Sequence, residues 1–534
     1  MMAARGSGEI PASCAGSSAT VLSWAALLIF LQVSAFAQTP FQKPSTGLAS
    51  AAEQRAARAF EIARANPLEL YDFLVRMPKG ADLHSHLSGA VYAETFIRDA
   101  SEDGLCVDLQ ALSFSKPTPS GCGEGKAAAG RAFADQHLYD ALVDAFSMRG
   151  LVPSPGVTGH DHFFDTFSKF GGIDANHLGE WLDEVATRAA AQNEQYLELM
   201  QTPPFAHTIA AASQTAWQDD FRKLREDLLA RGLRDDIAVD RASVEKAEAD
   251  RHDRERCGEP NAAPACRVQI RFLYQVLRGA PKERVFAQAL LGFEVASADP
   301  QHFVGINLVQ PEDGYTAMAD YALHMRIVGF LHGLYPQVHI SLHAGELALG
   351  LVPPDGLCCH IRLAVEDAHA ERIGHGVDAM YENQPYNLLK EMAAKHVMVE
   401  INLTSNDVIL GVSGRDHPLP VYRKYGVAVA LSTDDEGVSR INLTHEYVRA
   451  AESYGLRYED LKNMARAGIE HSFLPGASLW READAFTRSV AACLRDTLGA
   501  VKPSSGCVAF LQASEKAQQQ WELERRFRAF EAQY

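Results

Sequence analysis

The chain has 534 residues, is 47% hydrophobic and 22% charged, and carries a formal net charge of -18. That length exceeds one small domain, although a single elaborated barrel can use most of it. An acidic surface offers no field to attract a phosphate backbone, which argues against nucleic-acid binding as the main activity and leaves an unphosphorylated nucleoside open.

In chain order, residues 1–37 read first as a secretory signal. Arg5 gives a weak positive start, residues 21–33 are apolar, and Ala35-Phe-Ala37 is a small-x-small cleavage site before Gln38. The apolar run contains Ser23 and Gln32 and falls short of the ~20 residues a membrane-spanning helix needs. The expectation is export, to a periplasm or beyond, with no stable membrane association after cleavage. Of the 9 cysteines, Cys14 would leave with the signal. The even number that remains suits a disulfide framework. Cys106 and Cys122, Cys257 and Cys266, and Cys493 and Cys507 each flank a loop that an oxidising compartment would allow to close. Cys358-Cys359 is the odd pair, expected to stay reduced or to bond elsewhere.

Residues 38–76 read as a flexible leader, then one helix over 51–74 with apolar positions at helical spacing. Eight short apolar runs follow, at 81–87, 194–201, 268–277, 303–309, 338–343, 372–377, 397–403 and 427–431. Helical patterns at 281–296, 315–334 and 384–395 lie between them. Alternating strands and helices predict a parallel sheet, and eight such units predict an α/β fold, a (β/α)8 TIM-type barrel over 77–510. Residues 88–193 read as a lid or helical insertion after the first strand, including the segment His160-Asp-His-Phe-Phe. Residues 231–267 are charged and then Pro/Ala-rich, a surface insertion. Residues 511–534 form a charged C-terminal helix with sparse apolar positions.

Four motifs fall at or near strand ends: Asp82-Leu-His84-Ser-His86, Ser341-Leu-His343-Ala-Gly-Glu346, Arg372-Ile-Gly-His375-Gly and Ser432-Thr-Asp434-Asp435. His84 and His86, two apart on a strand, share one face. His343 enters Ala-Gly, where small residues let the backbone approach a ligand. Closing the barrel sets the last strand beside the first and brings Asp434 near His84 and His86. Each residue also has a plainer reading, as a satisfied histidine, a helix cap or a solvated turn. Together, His84, His86, His343 and Asp434 make a credible set of zinc ligands. Glu346, His375 and Asp435 are left for proton transfer and substrate polarisation, which suits hydrolysis by metal-activated water.

With the Met77-Pro-Lys-Gly opening, these motifs resemble the signature set of the adenosine deaminase family, within the metal-dependent amidohydrolase superfamily, from about residue 77 to 471. The leader helix, long first insertion and signal are similar to the secreted, growth-factor-type members, which suggests a homodimer. The resemblance implies one zinc per subunit and the conversion of adenosine, or a related 6-aminopurine nucleoside, to inosine and ammonia by a zinc-bound hydroxide at C6. Glu346 would deliver a proton to purine N1, His375 would orient and deprotonate the water, and Asp435 would hold the N7 edge and the attacking water. Two positions depart from the family pattern. Ser88, before Gly89, stands where an aspartate usually contacts the ribose, and Gln310 stands near a glycine whose backbone usually meets the purine. Ser88, Gly89, Gln310 and Asp435 are the expected substrate contacts. The departures keep open a different aminated heterocycle as substrate. An inactive extracellular nucleoside-binding protein is the other alternative, although every proposed metal and catalytic residue is present.

Overall fold

Eight parallel strands run round one sheet in the order β1-β5-β6-β7-β8-β9-β10-β11, in a computed structural model that describes residues 50–534. The signal segment, Cys14 and most of the leader lie outside the described residues. The barrel strands are β1 (Gly80–His86), β5 (Glu194–Gln201), β6 (Gln269–Leu277), β7 (Phe303–Val309), β8 (His339–Ala344), β9 (Arg372–His375), β10 (Met398–Ile401) and β11 (Val429–Leu431). Each falls on one of the eight apolar runs, because strands covered on both faces are apolar almost throughout; β7 is buried at every residue. Ser85 bridges to Asp434. Asp434 N–H donates to His84 O at 2.8 Å and His86 N–H donates to Asp434 O at 3.1 Å. The seam between the first and last strands is thus made of site residues.

The segment between β1 and β5 carries a small antiparallel sheet of β2 (Cys106–Asp108), β3 (Ser113–Ser115) and β4 (Lys126–Ala128) in the order β3-β2-β4. It has its own apolar cluster, which includes Phe96, Phe114, Phe146, Phe163 and Phe170. Phe96 and Phe170 stack at 4.4 Å. The Gly159–Lys169 helix, capped by Thr158, belongs to this layer, and its approach to the barrel is close. A Cβ on Gly159 would lie 2.0 Å from Val408 O.

Several expectations change. The helix over 51–74 is two helices, Ala51–Ala63 and Pro67–Arg76. Asn66 caps the second with its side chain and Pro67 sits at its first position, where a missing N–H costs nothing. The 315–334 pattern likewise divides at Asp320. The 231–267 insertion is built round a 21-residue helix, Asp235–Glu255, whose Arg251 and Glu255 pair in a buried bridge at 2.6 Å. Buried pairing hid this helix from an apolar-period reading. The last helix, Glu515–Glu531, buries Trp521, Leu523, Phe527 and Phe530, and Glu531 is fastened by Lys462 at 2.5 Å and Tyr458 at 2.9 Å. The three loop-flanking cysteine pairs are bonded, and Cys358 and Cys359 bond to each other. Among the described residues no helix is long and apolar enough to cross a membrane.

Candidate active site

At the C-terminal end of the barrel three imidazole nitrogens face one another. His84 Nε2 and His86 Nε2 lie 3.1 and 3.2 Å from His343 Nε2. Asp434 Oδ1 stands 3.5 Å from the first and 3.4 Å from the second. The other nitrogen of each ring is held by an oxygen: His84 Nδ1 by Glu400 at 2.6 Å, His86 Nδ1 by Gln275 at 2.5 Å and His343 Nδ1 by Asn307 at 2.7 Å. Neutral imidazoles so held carry their protons on Nδ1 and turn three Nε2 lone pairs on one point. Lone pairs cannot satisfy each other, so the cluster calls for a cation. The spacings also fit one. A tetrahedral zinc site with arms of about 2.1 Å has edges of about 3.4 Å.

The electrostatics agree. Burial lowers His84's basicity, but Asp434 and Glu400 outweigh it and raise its pKa to about 10. Desolvation, with the neighbouring imidazoles, pushes His343 well below the ordinary range. The two carboxylates thus favour positive charge beside His84, as they would a bound cation, while His343 stays neutral with its lone pair free to offer. A ring nitrogen of His375 also comes within 4.8 Å of the His84, His343 and Asp434 donors, so a second grouping is geometrically open. His375 lacks the pattern the other three share. Its Nδ1 meets the amide nitrogen of Asn406 at 2.9 Å, so the His84, His86, His343 and Asp434 set is the better match to a metal.

Local sequence explains how these groups reach the site. The backbones of Gln310, His375 and Asp434 are left-handed, with φ of 85°, 68° and 60°. Non-glycine residues pay for that conformation, and it concentrates at functional sites. Gln310 therefore keeps the backbone a glycine would adopt, and its amide oxygen accepts from Gly279 N–H at 2.8 Å. A Cβ on Gly374 would lie 2.4 Å from His84 Cε1, and one on Gly89 would lie 1.5 Å from Asp435 Oδ1. Both glycines make room for site side chains.

Glu346, Asp435, Ser88 and Gln310 line one cleft of about 500 Å³ together with His86, His343 and Asp434. His375 lies behind it, with Nε2 3.7 Å from Glu346 Oε1 and 3.9 Å from Asp434 Oδ2. Gly89 is placed under Asp435 and not along the cleft. Burial, then Asp434 and Glu312, raises Glu346 well above the ordinary carboxylate range, which keeps it a protonated acid. Glu312 itself stays ionised. Burial opposes its charge, but the hydrogen bond from His360 outweighs that, and it also accepts from Gly345 N and Glu346 N at 3.0 and 2.9 Å. Burial and then Asp434 likewise raise Asp435, and its Oδ1 has no hydrogen-bond partner among the described residues. Phe163, Phe164, Phe167 and Phe170 from the lid wall the cleft.

Sequence reading did not single out Glu400, Gln275, Asn307, Glu312, Asn406 or His417. The first three were detectable as polar residues on inward positions of otherwise apolar strands. The others lie on loops and a short helix, where no period marks them.

The adenosine deaminase family model matches residues 183–481, more than half of the chain. An adenosine deaminase of Clostridium perfringens (strain 13 / Type A) is 37% identical over 135 residues, 25% of this chain and 37% of that protein. One from Salmonella dublin is 36% identical over 137 residues, 26% of this chain and 38% of that protein. The matched segment thus spans well under half the length of these relatives. The solved structure of Arabidopsis ADAL in complex with IMP superposes with a TM-score of 0.50 at 20% identity, covering 75% of this chain and 94% of that one, a likeness of fold.

Proposed function

The chain belongs to the adenosine deaminase family, and from that premise we propose that its barrel-mouth site hydrolyses the C6–amino bond of a 6-aminopurine nucleoside, adenosine first, releasing ammonia. The observation that carries this reading is the pairing of three inward Nε2 lone pairs with a protonated Glu346 in one cleft. His84, His86, His343 and Asp434 would hold one zinc. A bound zinc activates water and stabilises the charge that develops as water adds.

The chain's own residues supply the rest. Glu346 delivers its proton to ring nitrogen N1 as the water oxygen adds at C6. The C6–N bond then breaks; one proton of the added water leaves with the amino group as ammonia, the other restores Glu346, and the oxygen remains as the C6 carbonyl. Asp435, which lines the cleft and is held protonated by burial and Asp434, donates a hydrogen bond to the N7 edge of the purine. The phenylalanine wall covers the bound ring and excludes bulk water, which strengthens these contacts.

The cleft also bears on the kind of substrate. Among the described residues no lysine or arginine lines it, so a 5′-phosphate would find no cation there, in contrast to a nucleotide ligand such as the IMP bound by ADAL. That favours a nucleoside or base over a nucleotide. Gln310 does not argue against a purine, since its amide is engaged with Gly279. The test is ammonia release from adenosine, adenine and AMP under matched conditions. Adenosine turnover that exceeds AMP turnover, and that Glu346→Gln abolishes, supports the reading. Equal turnover of AMP, or none of any purine, contradicts it.

A further inference from the structure

We propose that Asn406 and His417 are positioning residues that fix the proton of His375 on Nε2, so that His375 meets the attacking oxygen as a hydrogen-bond donor and not as a base. The consequence for catalysis rests on the deaminase reading; the proton's location does not.

The chain of hydrogen bonds starts at a backbone amide, which can only donate. Leu419 N–H donates to His417 Nδ1 at 3.1 Å. Neutral His417 therefore carries its proton on Nε2, and donates it to Asn406 Oδ1 at 2.9 Å. That bond fixes which way the Asn406 amide points. Its Nδ2 then donates to His375 Nδ1 at 2.9 Å. With Nδ1 accepting, neutral His375 must hold its proton on Nε2. Asn406, His417 and His375 are all buried, so water does not offer alternative partners. Burial, with Arg449 nearby, lowers His417 to about 4, which keeps it in the neutral form the relay needs.

This polarity is opposite to that of the three histidines with oxygen on Nδ1. It separates a ring built to accept a metal from one built to donate. The remaining groups facing His375 do not reverse it. Asn402 Nδ2 stands 3.5 Å from both ring nitrogens and chooses neither. Glu346 Oε1 and Asp434 Oδ2 lie 3.7 and 3.9 Å from Nε2. Both are beyond a direct hydrogen bond, at separations a water bridges. The Nε2–H is thus directed between two carboxylates, at the place from which a water would attack.

The relay is tested by nitrogen NMR of ¹⁵N-histidine-labelled, zinc-loaded protein, with the His375 signals identified by their loss in His375→Gln. The expected pattern is a protonated Nε2 and an unprotonated Nδ1. Asn406→Asp keeps the side chain's size but turns its donor into an acceptor, so the pattern should invert. Bound zinc should be unchanged and kcat should fall by at least about 10²-fold with little change in KM. His417→Gln keeps a donor toward Asn406 and should retain the native pattern, whereas His417→Phe should lose it. A native protein with the proton on Nδ1, or an Asn406→Asp protein that keeps it on Nε2, overturns the proposal. If Asn406→Asp does not fold, the two His417 variants decide on the same signal. A protein with the expected tautomer and no turnover of any purine supports the relay and overturns the deaminase reading.

Discussion

Glu400 Oε2 lies 2.6 Å from His84 Nδ1, with both side chains fully buried. Its other oxygen takes Arg372 Nε at 2.6 Å and Ser341 Oγ at 2.9 Å. Arg372 in turn pairs with Glu198 at 2.7 Å. A chain of buried charge thus runs from the barrel interior to the metal-facing ring.

Removing that charge should weaken metal binding without removing a ligand. Glu400→Gln keeps the shape and one acceptor, and the second carboxylate leaves Arg372 paired. Loss of such an outer partner typically costs about 10–100-fold in metal affinity. Competition with a zinc chelator should show a loss of that size. An unchanged affinity would mean that Glu400 serves Arg372 alone.

Gly89→Ala should act on Asp435. The added Cβ would overlap the Asp435 side chain, 1.5 Å from Oδ1 and 2.8 Å from its Cβ, so that side chain must move. Displacing a group from the cleft by about 1 Å commonly costs about 10²-fold in rate. Turnover should fall by that order while zinc content stays near one per chain. A variant with native kcat would show that Asp435's position is not critical.

The lid is fastened to the barrel mouth by His160, whose Nε2 lies 3.0 Å from Asp313 Oδ1. Burial opposes its charge, but hydrogen bonds to Asp313 and Asp161 outweigh burial and raise its pKa. A raised folded pKa means that the tether's contribution is full below the ordinary histidine value and fades as pH rises through the folded value. Amide protection factors across Gly159–Lys169, which divide out the intrinsic base-catalysed exchange rate, should therefore fall as pH rises above the ordinary histidine value. Asp313→Asn should flatten that dependence, and a profile that persists unchanged in the variant would assign it to another group.

The buried Cys493–Cys507 bond closes a loop of 14 residues. Replacing both cysteines by alanine should lower unfolding free energy by about 3 kcal/mol, the value expected for a loop of roughly that length. Denaturant unfolding measures it. A loss below about 1 kcal/mol would mean that the loop is held by its packing alone.

Much of this architecture is legible in the sequence because a barrel strand covered on both faces must be apolar, and each of the eight apolar runs is a strand. The ligands are legible for a related reason. His84, His86, His343 and Asp434 are polar residues at the ends of such runs, and barrel closure brings the first and last together. What escaped the sequence is polarity satisfied at a distance. Arg251 and Glu255 pair inside a helix that looks like charged surface, and Glu400 meets His84 across 316 positions. Asn66 and Pro67 split a helix whose apolar spacing runs straight through them. Asn406 and His417 bear no periodic signal, and the direction of their hydrogen bonds is set by the backbone amide of Leu419 in the folded chain.

The central requirement is that the three Nε2 atoms and Asp434 hold a metal that the reaction needs. The deciding measurement is ammonia release from adenosine by protein of known metal content, stripped by a chelator and then reloaded. The expected result is one zinc per chain, loss of turnover on stripping, its return with zinc, and both zinc and turnover lost in His343→Ala. Full turnover by metal-free protein, or zinc retained at full stoichiometry in His343→Ala, would contradict it.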